Sequence, residues 1–473
     1  MTEKKKKQNS GGGTIPSGRL LLMFLDGSKR FFAVSMISSL VLSAIDLVNP
    51  QIIRFTVDTV IGKEKSALPG FANRIVDLIG GVPVLRERLW IIAAAITVFA
   101  LLSAVFRYIQ RLYNTKASET LVETVRNLLF AHIERLPFGW HMKNRTGDII
   151  QRCTSDVDTV KEFLSEQLTA IVQIVIKVVF SLAVMFSMNA KLALAATLTM
   201  PVILLYSAIF GRRIGKHFRE CDENEGILSA MAQENLTGVR VVRAFGREEY
   251  ERERFGKQND HYMGLWVRLA RLLSAFWGMG DFIAGTQALL IMTLGIVSCV
   301  KGGMTSGEFI AFVTYNAMLA WPIRRLGRMI SEMSKAGISI DRLNYIMSSE
   351  EEKDRDGAGE PDMHGDIVFD DVSFAYEGCP ELLSHISFTA RAGKTVGILG
   401  GTGSGKSTLM YLLDRLYELP EDGSGGRITI GGTDIKDIKA AYLRKNIGIV
   451  LQEPYLFSRT IAENIGITRP DIT

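Results

Sequence analysis

No two of the four cysteines in the 473 residues share a short motif. Cys153, Cys221, Cys299 and Cys379 lie dozens of residues apart, which excludes a disulfide framework, a zinc knuckle and a dithiol redox pair as organising features. No G-x-G-x-x-G turn occurs, so a dinucleotide fold has no support. The opening residues lack the apolar core and small-residue cleavage site of a secretory leader. They carry Lys4 to Lys7 and then Asn-Ser-Gly-Gly-Gly, so residues 1–18 read as a disordered basic tail, either solvated or touching lipid headgroups. The net charge is +5, yet the basic residues flank apolar runs rather than share a face with aromatics. That pattern argues against nucleic acid and for a membrane.

Six stretches are apolar for about the 20 residues a helix needs to cross a bilayer: 31–53, 89–110, 164–187, 192–211, 273–300 and 305–323. The third and fourth are joined only by Asn189-Ala190-Lys191, which demands a tight helical hairpin. Lysines and arginines crowd the long stretches between spans two and three and between spans four and five, while the turns at 189–191 and 301–304 hold one lysine each. This bias predicts a multi-pass protein of the plasma membrane with both long loops and both termini in the cytoplasm. Apolar residues in the first long loop, such as Leu121, Val125 and Leu128, recur at helical spacing, so the membrane helices are expected to extend far into the cytoplasm. Asp46, Lys177 and Asp281 lie in or near spans. Ionisable groups there are costly, and these either line a cavity, pair across helix interfaces or snorkel to the membrane surface.

An acidic stretch with nearby glycines, residues 346–364, reads as a linker. Beyond it the pattern turns to short strands: 367–369, 372–376, 386–389, the buried-type run 395–399, 427–430 and 447–451. Between two of them stands Gly400-Gly401-Thr402-Gly403-Ser404-Gly405-Lys406-Ser407-Thr408, which fits G-x-x-x-x-G-K-[ST], after an apolar run and before a helical one. Glycines there let backbone N–H groups curl around phosphate oxygens, and the helix N-terminus adds partial positive charge. Lys406 is placed to reach the β- and γ-phosphates of ATP, and the Ser407 hydroxyl to ligate Mg²⁺. Tyr376, at a strand end, is either an adenine-stacking aromatic or simply half-buried. Gln452, at the end of 447–451, can reach Mg²⁺ or the attacking water, or else stand merely exposed.

With these residues in place the chain resembles a type I ABC exporter half-transporter of the multidrug and lipid class, from about residue 20 to 467. Val450-Leu451-Gln452-Glu453-Pro454-Tyr455-Leu456-Phe457-Ser458 is similar to that family's Q-loop, and Tyr376 falls where the family has its adenine-stacking aromatic. Arg145 to Arg152, with Gly147 and Asp148, resembles the first coupling region, and Glu234 to Gly238 the stretch around the second. The implied fold is an α-helical six-span transmembrane domain with long cytoplasmic helix extensions (19–345), plus an incomplete α/β P-loop nucleotide-binding domain (365–473). The implied function is ATP-driven export of a small hydrophobic or amphipathic substrate, with ATP and Mg²⁺ as cofactors, membrane lipid as surroundings and a second half-transporter, identical or different, as partner. No nucleic acid partner is expected.

The sequence also departs from that family. Beyond Gln452 there is no L-S-G-G-Q type signature, no apolar strand ending in Asp-Glu and no switch histidine, so no catalytic residue is assigned in this chain. A C-terminally truncated chain is the expectation, binding nucleotide but hydrolysing it poorly. The alternative function is a catalytically inactive membrane protein that binds nucleotide or a partner half-transporter.

Overall fold

The computed structural model describes residues 15–62, 64–65, 69–420, 422–452 and 454–467, apart from some side chains at 17 and between 320 and 334. Residues 1–14 of the tail expected over 1–18, and Glu453 of the Q-loop-like run, lie outside the described residues, while Ser17 and Gly18 already belong to a helix and Ile15 hydrogen-bonds Ser348 and Asn344. The described residues form two compact units, one gathering 15–130 with 150–348, the other 131–149 with 349–467.

The elements run in chain order as α1 (Ser17–Phe24), α2 (Lys29–Phe55), α3 (Gly70–Leu78), α4 (Gly81–Glu87), α5 (Trp90–Ile133), α6 (Phe138–Lys143), α7 (Thr146–Gln151), α8 (Val157–Glu162), α9 (Leu168–Met188), α10 (Ala190–Thr237), α11 (Val239–Ala244), α12 (Glu248–Val300) and α13 (Ser306–Met347). α2 continues as a π-helical turn, Thr56–Ile61, and two more such turns, Arg152–Asp156 and Phe163–Gln167, flank α8. Among the described residues five helical stretches are long and apolar enough to cross a membrane: Lys29–Ile61, Trp90–Ile133, Thr146–Met188, Ala190–Thr237 and Glu248–Val300. They carry the first five expected spans. The sixth expected span falls on the first half of α13. The expected extensions are there: α10 has 48 residues and α12 has 53. At 1.5 Å per residue α10 alone is about 70 Å long, more than twice the roughly 30 Å hydrocarbon core. A single residue, Asn189, separates α9 from α10, and its side chain caps α10 by accepting the Leu192 N–H at 3.1 Å.

α9, α10, α12 and α13 share an apolar core that includes Met185, Ala193, Met200, Ile291, Phe312 and Tyr315. Small residues at the contacts, Ala193, Ala196 and Ala311, allow close approach of helices that water does not drive together. Several polar groups inside the unit pair across helices. Gln287 on α12 donates to Asn316 on α13 at 2.8 Å. The Asp58 carboxylate accepts the Gly307 N–H at 2.7 Å and the Thr305 hydroxyl, and Arg54 pairs with Glu308. Asp58 and the Thr305/Glu308 capping box together take up the N–H groups of Thr305, Gly307 and Glu308 at the start of α13. Lys177 on α9 lies 2.8 Å from Asp46 on α2, so two of the three ionisable residues near spans pair with each other. Asp281 is exposed on α12.

In the other unit, β1 (Ile367–Ala375) pairs antiparallel with β2 (Glu381–Ala390) and β3 (Arg427–Ile430), and β3 pairs with β4 (Thr433–Asp434), giving the order β2-β1-β3-β4. Phe369 and Phe388 sit opposite in register and stack at 4.5 Å. Three helices follow the first strands: α14 (Lys406–Leu413), α15 (Ala440–Asn446) and α16 (Ile461–Ile465). Leu409 and Leu412 of α14 and Leu443 of α15 close over Phe369, Ile428 and Ile430. The expected strands at 395–399 and 447–451 are corrected here: neither is in a strand, and Leu399 and Val450 are 98% and 97% exposed. Apolar runs of this kind become strands when neighbours take up their N–H and C=O groups. The four-stranded sheet ends at β2 on one side and β4 on the other, so among the described residues neither run has a neighbouring strand.

Candidate functional site

β2 leads through an extended stretch into residues 400–405, and α14 starts at Lys406. Gly403 and Gly405 have φ of +81° and +90°, conformations that L side chains rarely adopt. A Cβ on Gly405 would stand 2.6 Å from the Leu383 side chain, and one on Gly400 2.5 Å from Ser404 Oγ. Nothing lies within 4 Å of a Cβ built on Gly401 or Gly403. The loop is thus pinned at both ends and open in the middle, a backbone cradle that phosphate oxygens fit. Lys406 Nζ folds back over the loop and donates to the Gly400 and Gly401 carbonyls at 2.8 and 2.7 Å, so its cation is held at the loop. Gly405→Ala is expected to cost about 2 kcal/mol, from the positive φ and the Leu383 collision. A denaturant titration that shows no shift in midpoint would contradict this.

Ser407, the next residue, lines a cavity of about 360 Å³ together with Met410, Tyr411, Ile449, Val450, Leu451 and Gln452. The structure therefore brings together the two side chains expected to meet Mg²⁺, although they are 45 positions apart. Among the described residues no group of three or more His, Cys, Asp or Glu is arranged to hold a metal ion. A hydroxyl and an amide oxygen are hard, neutral donors. They suit a Mg²⁺ that arrives with nucleotide phosphates and keeps several waters, not a free ion held by the protein alone.

Tyr376 follows the end of β1 and is half-buried. Its hydroxyl hydrogen-bonds the buried Thr408 Oγ1 at 2.9 Å, and its ring meets Phe374 and Tyr417 edge-on at 5.0 and 5.1 Å. The structure thus ties Tyr376 to the first turn of α14. Burial pushes the Tyr417 hydroxyl's pKa up.

Residues 131–149 belong to this unit, and the sequence reading missed the part that makes the contacts. Phe138 of α6 meets Tyr411 and Tyr417 at ring distances of 6.0 and 5.5 Å, and Trp140 donates to Ser349 Oγ at 3.0 Å. Lys143 pairs with Glu377 at 3.1 Å. Gly147 and Asp148, the expected coupling residues, lie just beyond and are exposed. The available signal was the aromatic run after Pro137, Phe138-Gly139-Trp140. Glu234 and Gly238 lie in the other unit at the turn from α10 to α11, where the Gly238 N–H bonds the Glu234 carbonyl at 2.8 Å. Leu236, Val241 and Phe245 around that turn are exposed.

A charged cluster at the rear of α14 was also not foreseen. Arg415 is 2% exposed, and its guanidinium donates to Asp354 at 3.1 Å, to the Ile438 carbonyl at 2.6 Å and to Glu418 at 2.8 Å. Arg444 of α15 pairs with both Glu352 oxygens, at 2.9 and 2.6 Å. The Glu352 hydrogen bond raises the Arg444 pKa, while burial pushes the neighbouring Asp414 carboxyl up. The acidic stretch read as a linker is therefore held against Arg415, just beyond α14, and against α15.

Residues 32–323 match a family model described as the ABC transporter transmembrane region, and residues 383–472 match one described as ABC transporter. An uncharacterised ABC transporter ATP-binding protein of Bacillus subtilis is 31% identical over 95% of this chain and 74% of its own length. An ATP-dependent lipid A-core flippase of Syntrophus aciditrophicus is 30% identical over 80% of this chain and 62% of its own length. A fatty acid ABC transporter ATP-binding/permease protein of Mycobacterium tuberculosis is 31% identical over 77% of this chain and 57% of its own length.

Proposed function

Because the chain belongs to the ABC transporter family, with the membrane region and the ATP-binding region fused in one polypeptide, we propose that it is an exporter subunit that moves a hydrophobic or amphipathic substrate out across the plasma membrane. One observation carries the reading: Ser407 and Gln452 line one cavity, and Ser407 directly follows the open glycine cradle and Lys406, in a chain that also has five membrane-capable helices among its described residues. Its relatives' names mention lipid A and fatty acids, which supports an acyl-chain substrate.

In this proposal the backbone N–H groups of 400–405 and the start of α14 take the phosphates of ATP, and Lys406 exchanges its two carbonyl partners for phosphate oxygens. Ser407 and Gln452 hold Mg²⁺, which supplies charge neutralisation on the phosphates, and Tyr376 stacks on adenine. Phe138 and the 131–149 segment, with Gly147 and Asp148, follow the movement of Tyr411 beside the cavity. The exposed tip around Glu234 and Gly238 docks on a second half-transporter, identical or different. Exposed Leu101, Val105 and Tyr108 on α5 face lipid or that partner. Both termini and both long loops are cytoplasmic. Among the described residues that line the Ser407–Gln452 cavity there is no Asp or Glu to serve as general base. The chain by itself therefore binds ATP but turns it over far below the roughly 10 s⁻¹ typical of enzymes.

The test does not require turnover. In lipid nanodiscs, the affinity for a single-chain amphiphile is measured with and without Mg²⁺-ATP. A change of at least about 5-fold is expected for coupled sites. Equal affinities would leave nucleotide and substrate uncoupled and end the exporter reading, favouring a protein that only binds nucleotide.

A further inference from the structure

One side chain beyond the end of α14 ties two separate pieces of chain to α15. Arg444 projects from α15, eight residues before Gln452. Its Nε donates to the Asp414 carbonyl at 3.1 Å and its Nη2 to the Arg415 carbonyl at 2.7 Å, both at the end of the helix that begins beside Ser407. The rest of the guanidinium fork is taken by the two Glu352 oxygens at 2.9 and 2.6 Å. The planar fork fixes direction as well as distance, which an ammonium could not do. α14 and the strand-like run 447–452 share no hydrogen-bonded sheet neighbour among the described residues, so their spacing is not set by a ladder. Arg444 ties the end of α14 to α15, which leads directly into that run.

Glu352 is itself placed from a further direction. Its backbone N–H bonds the Arg135 carbonyl at 2.8 Å, and the adjacent Glu351 pairs with His132 at 2.9 Å. Both partners lie at the C-terminal end of α5 and just after it. Arg415, buried beside Arg444, repeats the arrangement with Asp354.

Resting on the ATP-binding reading above, we propose that Arg444 and Glu352 form a positioning pair that sets the distance between Ser407 and Gln452, and so governs the contribution of Mg²⁺ to nucleotide affinity. The pair touches neither nucleotide nor metal. It orients the elements that carry the metal's protein donors, and outer partners of this kind are worth about 10- to 100-fold in metal affinity. Arg444 and Glu352 make no hydrogen bond to residues 400–406 among the described residues, so the grip through the loop backbone and Lys406 is expected to be independent of the pair.

The experiment measures affinity for a fluorescent ATP analogue on the full chain in detergent or nanodiscs, with Mg²⁺ and with a chelator. Arg444→Met and Glu352→Gln are compared with the unaltered chain, singly and together. The gain in affinity from Mg²⁺ is expected to fall about 10-fold or more in Arg444→Met and less in the near-isosteric Glu352→Gln. Affinity in chelator should stay within about 2-fold, and the double variant should be no worse than Arg444→Met, as for residues acting through one interaction. An intact Mg²⁺ gain in both single variants overturns the proposal. So does a parallel loss with and without Mg²⁺, which marks a purely structural role. If the unaltered chain binds no nucleotide, or Lys406→Ala binds as tightly, the ATP-binding reading fails and takes this inference with it. If the unaltered chain binds nucleotide with no help from Mg²⁺, this inference alone fails.

Discussion

Lys406→Ala is expected to weaken ATP binding by about 100-fold while leaving the thermal midpoint nearly unchanged. In the structure Nζ makes two hydrogen bonds to exposed loop carbonyls, so removing it uncovers no buried group. Toward a polyphosphate the same ammonium makes charge-assisted bonds. Two of these, at about 1.5–3 kcal/mol each, amount to roughly 3 kcal/mol once the exchanged carbonyl bonds are subtracted. Lys406→Arg should recover little, because the guanidinium fork does not fit where a point charge sits between two adjacent carbonyls. Calorimetric titration with ATP decides the matter. An affinity within about threefold of the unaltered chain would remove the lysine from phosphate binding, since 1.4 kcal/mol already means tenfold.

The second large effect concerns the membrane unit. Asp46→Leu should destabilise the folded chain by about 3–5 kcal/mol, because Lys177 is left among apolar helices without its counter-charge. Lys177→Leu should cost a similar amount. The double replacement, Asp46→Leu with Lys177→Leu, should return to within about 1 kcal/mol of the parent, since a matched apolar pair often replaces an ion pair without loss. Reversible denaturation in mixed micelles gives the three numbers. If the two single losses simply add in the double variant, the residues do not act as a pair, whatever their 2.8 Å separation.

Much of the molecule is legible before any coordinates. Five apolar runs became spanning-type helices, because length and hydropathy are local properties. The Gly400–Thr408 loop was also legible, because its glycines and lysine act over nine consecutive residues. What could not be read depends on distant chain. The runs at 395–399 and 447–451 look like buried strands, yet strand formation belongs to neighbours that the runs do not contain. Arg415, Arg444, Glu352 and Asp354 look like ordinary surface charges, since nothing local marks an arginine that the fold buries to 2% exposure. The contact at Phe138 was not read from the sequence, because its ring partners Tyr411 and Tyr417 lie far along the chain. The sequence drew attention to the charged stretch 145–152, whereas the packing energy lies in the aromatic ring just before it.

Asn189 is the whole connection between α9 and α10. With so little slack there, the two helices are expected to turn about their shared corner rather than slide past one another, with Pro201 a second place where α10 can bend. α10 extends about 70 Å from that corner, so a tilt of about 10° sweeps its far tip through roughly 12 Å. A small angular change near the hinge thus becomes a long stroke at the turn that holds Glu234 and Gly238.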